Sequence, residues 1–81
     1  MTPRGLRRFA VFGFATTHDA LAAEQVLKEY GVEVVPIPAP KTLGDLCGIA
    51  LRVPADLQDG ARAVLEAASV HPASEAAMED V

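Results

Sequence analysis

Hydrophobic residues recur along the chain with two different spacings, one typical of strands and one typical of helices. Residues 8–14 read RFAVFGF, a short run rich in phenylalanine and valine that favours a buried strand. After this run, Ala20, Ala23, Leu27 and Tyr30 recur at intervals of three and four residues. This spacing predicts a helix that turns one apolar face inward.

The residues at both ends of this predicted helix indicate where it begins and ends. Thr16 offers a hydroxyl that can accept a hydrogen bond from the first helical turn, and Asp19 follows three residues later, as in a capping box with aspartate. Gly31 suits the position just after the last helical turn, where the backbone adopts a left-handed conformation. We therefore expect a helix that runs to Tyr30.

The rest of the chain predicts two more strands and a second helix. Residues 32–37 are rich in β-branched side chains, and Pro36 and Pro38 place this strand at a sheet edge because proline donates no ladder hydrogen bond. Residues 48–53 read GIALRV and predict a third strand. The second helix begins near Asp56, and its apolar stripe consists of Leu57, Ala61, Val64, Leu65 and Ala68. Pro72 is expected to end it.

The resulting order of elements is β-α-β-β-α, which predicts an α+β fold. It corresponds to a two-layer half sandwich, ferredoxin-like without its last strand, with both helices on one face of a three-stranded sheet. The right-handed crossover predicts the sheet order first, third, second. We expect a single domain over residues 1–70 and a frayed acidic tail over residues 71–81.

Composition and charge exclude several classes of protein. The 81 residues are 51% hydrophobic and carry a formal net charge of −4, which opposes binding to nucleic acid even though three arginines lie within residues 4–8. No apolar run is long enough to cross a bilayer, and no secretory signal is visible, so we expect a cytoplasmic protein that does not bind membranes. The single cysteine, Cys47, cannot form an internal disulfide.

The predicted topology brings Cys47 close to the start of the first helix. The end of the first strand, the end of the second strand and the beginning of the third strand all share one end of the sheet with Thr16, Thr17 and His18. A helix N-terminus favours an anion, so the pKa of a thiol there is lowered. Gly44 and Gly48 allow backbone amides to turn toward the sulfur, and Lys41 is a further candidate cation.

Each of these residues also has an ordinary structural interpretation. A lone cysteine in a small domain is most often a buried small hydrophobic residue, and a histidine such as His18 is often just a polar residue at a helix start. What favours chemistry at Cys47 is its position after a proline-rich segment and next to Gly48. One cysteine and two histidines do not make a closed metal site, and we expect neither a metal nor a cofactor.

These residues resemble the selenium/sulfur (Se/S) carrier protein-like family of small prokaryotic domains. The resemblance rests on Thr17-His18 at a helix start, Ala23-Glu24 to Leu27 within the helix, the segment 37–40 (IPAP), and Cys47-Gly48 before an apolar strand. It covers about two thirds of the chain. The residues just before the cysteine differ, since residues 44–46 read GDL where relatives tend to have serines.

The resemblance implies a carrier, not a conventional enzyme. Such a carrier would hold sulfur or selenium on Cys47 as a persulfide or selenopersulfide. It would receive the atom from a cysteine desulfurase-like donor and pass it to a selenophosphate- or thiolation-related acceptor enzyme. The basic residue after the second proline is present here as Lys41.

Two other functions remain open from the sequence. If the last strand is absent, the first strand exposes unpaired backbone groups, which would suit a non-catalytic interaction or regulatory module, including a homodimer formed through a sheet edge. A thiol redox sensor is the weaker alternative, because the chain has no second cysteine to resolve a sulfenic acid.

Overall fold

The computed structural model describes residues 7–39 and 48–80. Within these ranges, four strands and two helices follow one another in the order β-α-β-β-α-β. The strands are β1 (Arg7–Gly13), β2 (Val35–Pro38), β3 (Ile49–Pro54) and β4 (Ser74–Asp80). The helices are α1 (Thr17–Glu29) and α2 (Gln58–Ala67), and a 3-10 turn at Ala55–Leu57 leads into α2.

The four strands form one open sheet in the order β2-β3-β1-β4, in which all neighbours are antiparallel. The α+β fold predicted from the sequence is confirmed, and so is the order first, third, second for the first three strands. Pro36 and Pro38 lie in an edge strand, as expected of residues that cannot donate to a ladder on both sides.

The prediction of a three-stranded sheet was wrong, because residues 74–80 form a fourth strand where we expected a frayed tail. Strand β4 pairs with the whole of β1, from Arg7 opposite Asp80 to Gly13 opposite Ser74. Alanine and glutamate have low strand propensity, so the segment looks like a solvated tail in the sequence. Pairing with β1 overrides that preference, and β1 is consequently an interior strand with no exposed edge.

The main core lies between the sheet and the two helices. Alternate residues of β1 and β3 point toward the helices, and their side chains meet the apolar face of each helix. Burying each large side chain stabilises the fold by about 1.5–3 kcal/mol. The largest fully buried residues of this layer are Phe12, Phe14, Leu27, Leu51, Leu65 and Val53.

The opposite face of the sheet holds a second, smaller apolar cluster. Val11 and Ala50 are buried there, and half-buried side chains from β2 and β4, including Ile37 and Met78, pack against them. Phe9 is also buried, and the guanidinium of Arg52 lies 4.2 Å from the centre of its ring. This distance is within the range of a cation–π interaction.

Both predicted apolar stripes include residues beyond the inward-facing part of the helix. Ala20, Ala23 and Leu27 are buried as predicted, but Tyr30 is 66% exposed because it lies at the C-cap, after the last helical turn. In the second stripe, Leu57 belongs to the 3-10 turn and Ala68 is the C-cap, and both are exposed. Inward orientation therefore ends with the regular helix.

Both helices end in the same backbone hydrogen-bonding motif, a Schellman motif, which requires one residue with positive φ. Gly31 has φ 75° after α1, and Ser69 has φ 61° after α2. After α1, the N–H groups of Gly31 and Val32 donate to the carbonyls of Lys28 and Leu27. After α2, the N–H groups of Ser69 and Val70 donate to the carbonyls of Glu66 and Leu65. Helix α2 therefore ends through this motif, and not at Pro72 as the sequence suggested.

An ion pair ties β4 to α2. The Nη2 atom of Arg62 lies 2.7 Å from Oε1 of Glu75, its Nε donates to both carboxylate oxygens, and Gln58 donates to Oε1 at 3.1 Å. Asp59 accepts a further bond from Arg62 at 3.0 Å. The hydrogen bond from Arg62 lowers the pKa of Glu75 below its ordinary value, although partial burial opposes this shift.

Replacing Ser69 with glycine should stabilise the protein. A residue with a Cβ is strained in the left-handed region, which glycine adopts freely, so the Ser69→Gly variant should gain about 1 kcal/mol in the free energy of unfolding. Gly31→Ala is the matched control and should lose about 1 kcal/mol from strain alone, because the added Cβ would meet no atom within 4 Å. Urea unfolding measures both. Equal stability of Ser69→Gly and the parent would contradict the assignment of strain to Ser69.

Replacing Glu75 with glutamine should reduce stability at neutral pH more than in acid. The pKa of Glu75 is lowered in the folded protein, so its contribution is fully present above the ordinary glutamate pKa and is lost as the pH falls through the lower folded value. Urea unfolding at neutral and acid pH measures the difference between parent and variant. Glu79→Gln is the control. A difference that does not shrink in acid would show that the pair contributes no linked stability.

Candidate functional site

Five segments of the chain meet at one end of the sheet. The end of β1 pairs with the beginning of both neighbours, since Gly13 lies opposite Ala50 of β3 and opposite Ser74 of β4. The last residue of β2, Pro38, lies opposite Ile49, the first residue of β3. Because α1 begins shortly after β1 ends, its N-terminus lies at this end too. The topology predicted from the sequence is confirmed here, and we call this part of the molecule the sheet rim.

Thr16 caps the start of α1, as the sequence predicts. Its backbone is extended, with φ −135° and ψ 156°, and its Oγ1 accepts a hydrogen bond from the Asp19 N–H at 3.0 Å. The Thr16 carbonyl accepts the Ala20 N–H at 3.1 Å, which is the first intrahelical bond. The cap thus fixes the direction in which the first turn of the helix points.

The first two backbone amides of α1, those of Thr17 and His18, are not used by the cap. They have no acceptor within the helix because the first four N–H groups of any α-helix lack one. Both side chains are exposed, so the helix start is open to an approaching group. Asp19, in the first turn, adds a negative charge that partly offsets the positive end of the helix dipole.

The two ends of the segment that contains the cysteine are held together. Ala39 donates its N–H to the carbonyl of Gly48 at 3.1 Å, one residue beyond the ends of β2 and β3. Gly48 is exposed, and a Cβ at this position would meet no atom within 4 Å. With respect to residues 7–39 and 48–80, the space around its backbone is therefore open on the rim. Cys47, Lys41 and Gly44 lie outside the described residues.

The structure brings Thr16, Thr17, His18 and Gly48 to the same end of the sheet, and it adds Ser74, which sequence reasoning missed. Ser74 opens β4, and its Oγ is buried with no hydrogen-bond partner in the described ranges. A buried hydroxyl without a partner is uncommon and marks a place where a donor is available. It was missed because its segment was interpreted as a tail.

The described residues, 7–39 and 48–80, narrow the class of site in two respects. No group of three or more histidine, cysteine, aspartate or glutamate side chains lies close enough to hold a metal ion in these ranges. Neither α1 nor α2 has the length and apolar character that a membrane-spanning helix needs.

Comparison with known proteins identifies the family. No curated protein and no solved structure matches the chain. A family model described as "Putative Se/S carrier protein-like" matches residues 9–75, a range that includes all of the sheet rim and position 47. This range spans most of the 81 residues, and it agrees with the resemblance seen in the sequence. The chain therefore belongs to the Se/S carrier protein-like family.

Proposed function

We propose that this protein is a sulfur or selenium carrier that holds the transferred atom on Cys47 as a persulfide or selenopersulfide. It receives the atom from a cysteine desulfurase-like donor and hands it to a selenophosphate- or thiolation-related acceptor enzyme. In this role the protein is a carrier, and the chemistry of activation belongs to the enzymes on either side.

The family match, taken with the single cysteine, carries the proposal. The chain belongs to a family described as Se/S carrier-like, the match includes position 47, and the protein has a single cysteine. Covalent carriage of sulfur or selenium by a side chain needs a nucleophile, and the thiolate is the strongest one available to a protein at neutral pH. Within this chain, the carrying atom is then the sulfur of Cys47.

The described part of the sheet rim supports this assignment. Cys47 immediately precedes Gly48, whose backbone is exposed on the rim, and the hydrogen bond from Ala39 to Gly48 holds the two ends of the intervening segment together. The unused amides at the start of α1 lie at the same end of the sheet. Two backbone N–H groups and a helix dipole favour a thiolate or a persulfide anion over the neutral thiol.

The transfer is a thiol exchange that balances without an added oxidant. The thiolate of Cys47 attacks the terminal sulfur of the donor's persulfide, a new S–S bond forms to Cys47, and the donor's S–S bond breaks. The donor cysteine leaves as a thiolate and takes up a proton. The terminal sulfur keeps its oxidation state throughout. Selenium follows the same scheme with an S–Se bond on Cys47.

Loading of Cys47 is the direct test of this function. After incubation with a cysteine desulfurase and cysteine, intact-protein mass spectrometry should show the gain of one sulfur atom, and dithiothreitol should remove it because the bond is a disulfide-type bond. Cys47→Ser is the control and should gain nothing. A parent protein that stays unmodified beside a desulfurase shown to be persulfidated would overturn the proposal.

Removing the helix cap should make the cysteine less reactive. Thr16→Ala removes the acceptor of the Asp19 N–H, frays the first turn of α1, and should cost about 1 kcal/mol of stability. Because the ordered helix start favours the thiolate, the pKa of Cys47 measured from the pH dependence of alkylation should rise toward the ordinary value of about 8.5. Thr17→Ala, at an exposed position that makes no cap bond, is the matched control. An identical pKa of Cys47 in the parent and both variants would show that the helix start does not stabilise its thiolate.

A further inference from the structure

The two edges of the sheet differ in the hydrogen bonds they can offer. Along a strand, the backbone N–H and carbonyl of successive residues point to opposite sides. The bond from the Ala39 N–H to Gly48 shows that Ala39 points toward β3, and the register then directs Val35 and Ile37 the same way. The outward positions of β2 are therefore Pro36 and Pro38, which have no N–H. The β2 edge offers no donors to another strand.

The same alternation can be followed across the sheet to β4. The backbone groups of Gly48, Ala50 and Arg52 point toward β2. Those of Leu51 and Val53 therefore point toward β1, where they bond to Phe12 and Ala10. The residues of β1 that face β4 are then 9, 11 and 13, which lie opposite 78, 76 and 74. The outward positions of β4 are consequently Glu75, Ala77 and Glu79. Each of these residues presents both an N–H and a carbonyl at the edge.

Strand β4 lacks the prolines and the short length that blunt the β2 edge. It is seven residues long, against four for β2, and its sequence SEAAMED contains no proline, glycine or lysine. Natural proteins protect edge strands with proline, with charged side chains, with bulges, or by keeping the strand short, and of these β4 has only its acidic side chains. In residues 7–39 and 48–80, no other strand pairs with its outer side. Among the described residues, the β2 edge is thus blocked and the longer β4 edge is unpaired.

The charges on β4 select what can pair with it. All the charged residues of β4 are acidic, namely Glu75, Glu79 and Asp80. The balancing cations stand further from the edge, since Arg8 lies opposite Glu79 on β1 and Arg62 reaches Glu75 from α2. A second copy of β4 in full antiparallel overlap, centred on residue 77, would place Glu75 directly opposite Glu79 twice. Like charges in directly opposed positions destabilise a strand pair.

A shallow groove borders the same edge on the helix side. Its lining includes Ala55, Gln58, Ala77 and Glu79, together with one cation, Arg8, which lies opposite Glu79. In a strand added beside β4, residues opposite Glu75, Ala77 and Glu79 would point to this side of the sheet. Their side chains would pack in the groove and contact the carboxylates of Glu75 and Glu79. Alternate positions of the added strand would therefore be selected by size and by charge.

We propose that the β4 edge binds an extended segment of a partner protein by strand addition, with lysine or arginine opposite Glu75 and Glu79. The segment takes up the free N–H and carbonyl groups of β4, and it lengthens the sheet to five strands. This binding mode uses no atom of Cys47, and it stands whether or not the protein carries sulfur.

A titration followed by NMR tests the proposal on the whole protein. The probe is a synthetic peptide of about eight residues, near the usual strand length, that alternates lysine and valine. Amide hydrogen exchange of Glu75, Ala77 and Glu79 should be fast in the free protein and should slow on adding the peptide, while that of Ala76 and Met78 is slow throughout. A peptide that alternates glutamate and valine is the control and should not bind.

Two variants separate the backbone and charge contributions. Ala77→Pro removes an outward N–H from the β4 edge, as the prolines do on β2, and should weaken peptide binding by about tenfold or more. Ala77→Val keeps this N–H and should bind the peptide as the parent does. Glu79→Lys should weaken binding of the basic peptide by about fivefold. The exchange rates of the parent protein need no variant, so the test holds even if Ala77→Pro unfolds.

Three results would overturn the proposal. The first is slow exchange of Glu75, Ala77 and Glu79 in the free, monomeric protein, which would mean that the edge is already covered. The second is equal binding of the acidic and basic peptides. The third is a dimer, detected by sedimentation, whose formation at rising protein concentration slows the same three amides, which would assign the edge to a second copy.

Discussion

Strand β1 is the element on which the rest of the structure depends, because its two sets of alternating side chains supply both apolar clusters. Ala10 and Phe12 point into the layer between the sheet and the helices, where Phe14 joins them just after the strand, while Phe9 and Val11 build the opposite face. Its backbone is also used on both sides, by β3 and by β4. In a chain without tryptophan, these bulky side chains hold the two layers together. The position of β1 in turn fixes where α1 begins.

What could be predicted from the sequence follows from how local each signal is. The cap at Thr16, the glycine at 31 and the edge position of Pro36 each depend on the chemistry of one residue, and all three were correct. Strand β4 could not be predicted, because its stability comes from pairing with a strand more than sixty positions earlier in the chain. The end of α2 was misplaced for a related reason. Serine seldom adopts a positive φ, so its presence at position 69 does not predict a helix end there.

The candidate site shows the same division. The topology placed the start of α1 and the beginning of β3 at one end of the sheet, and the strand registers agree with it. Ser74 was missed because it enters the site only through the unpredicted β4. The family match over residues 9–75 identifies the family, but a short motif does not describe the surfaces through which a protein recognises its partners. Those surfaces are a property of the whole folded chain.

The prolines of β2 set a limit on how many molecules can join edge to edge. An assembly that grows without end needs two different edges on every molecule, one to receive a neighbour and one to be received. With Pro36 and Pro38 in the outward positions, the β4 edge alone offers both donors and acceptors among the strands that the structure describes. Association through the described strands therefore does not propagate from edge to edge, so β4 can stay long and unpaired without the hazard of forming fibres.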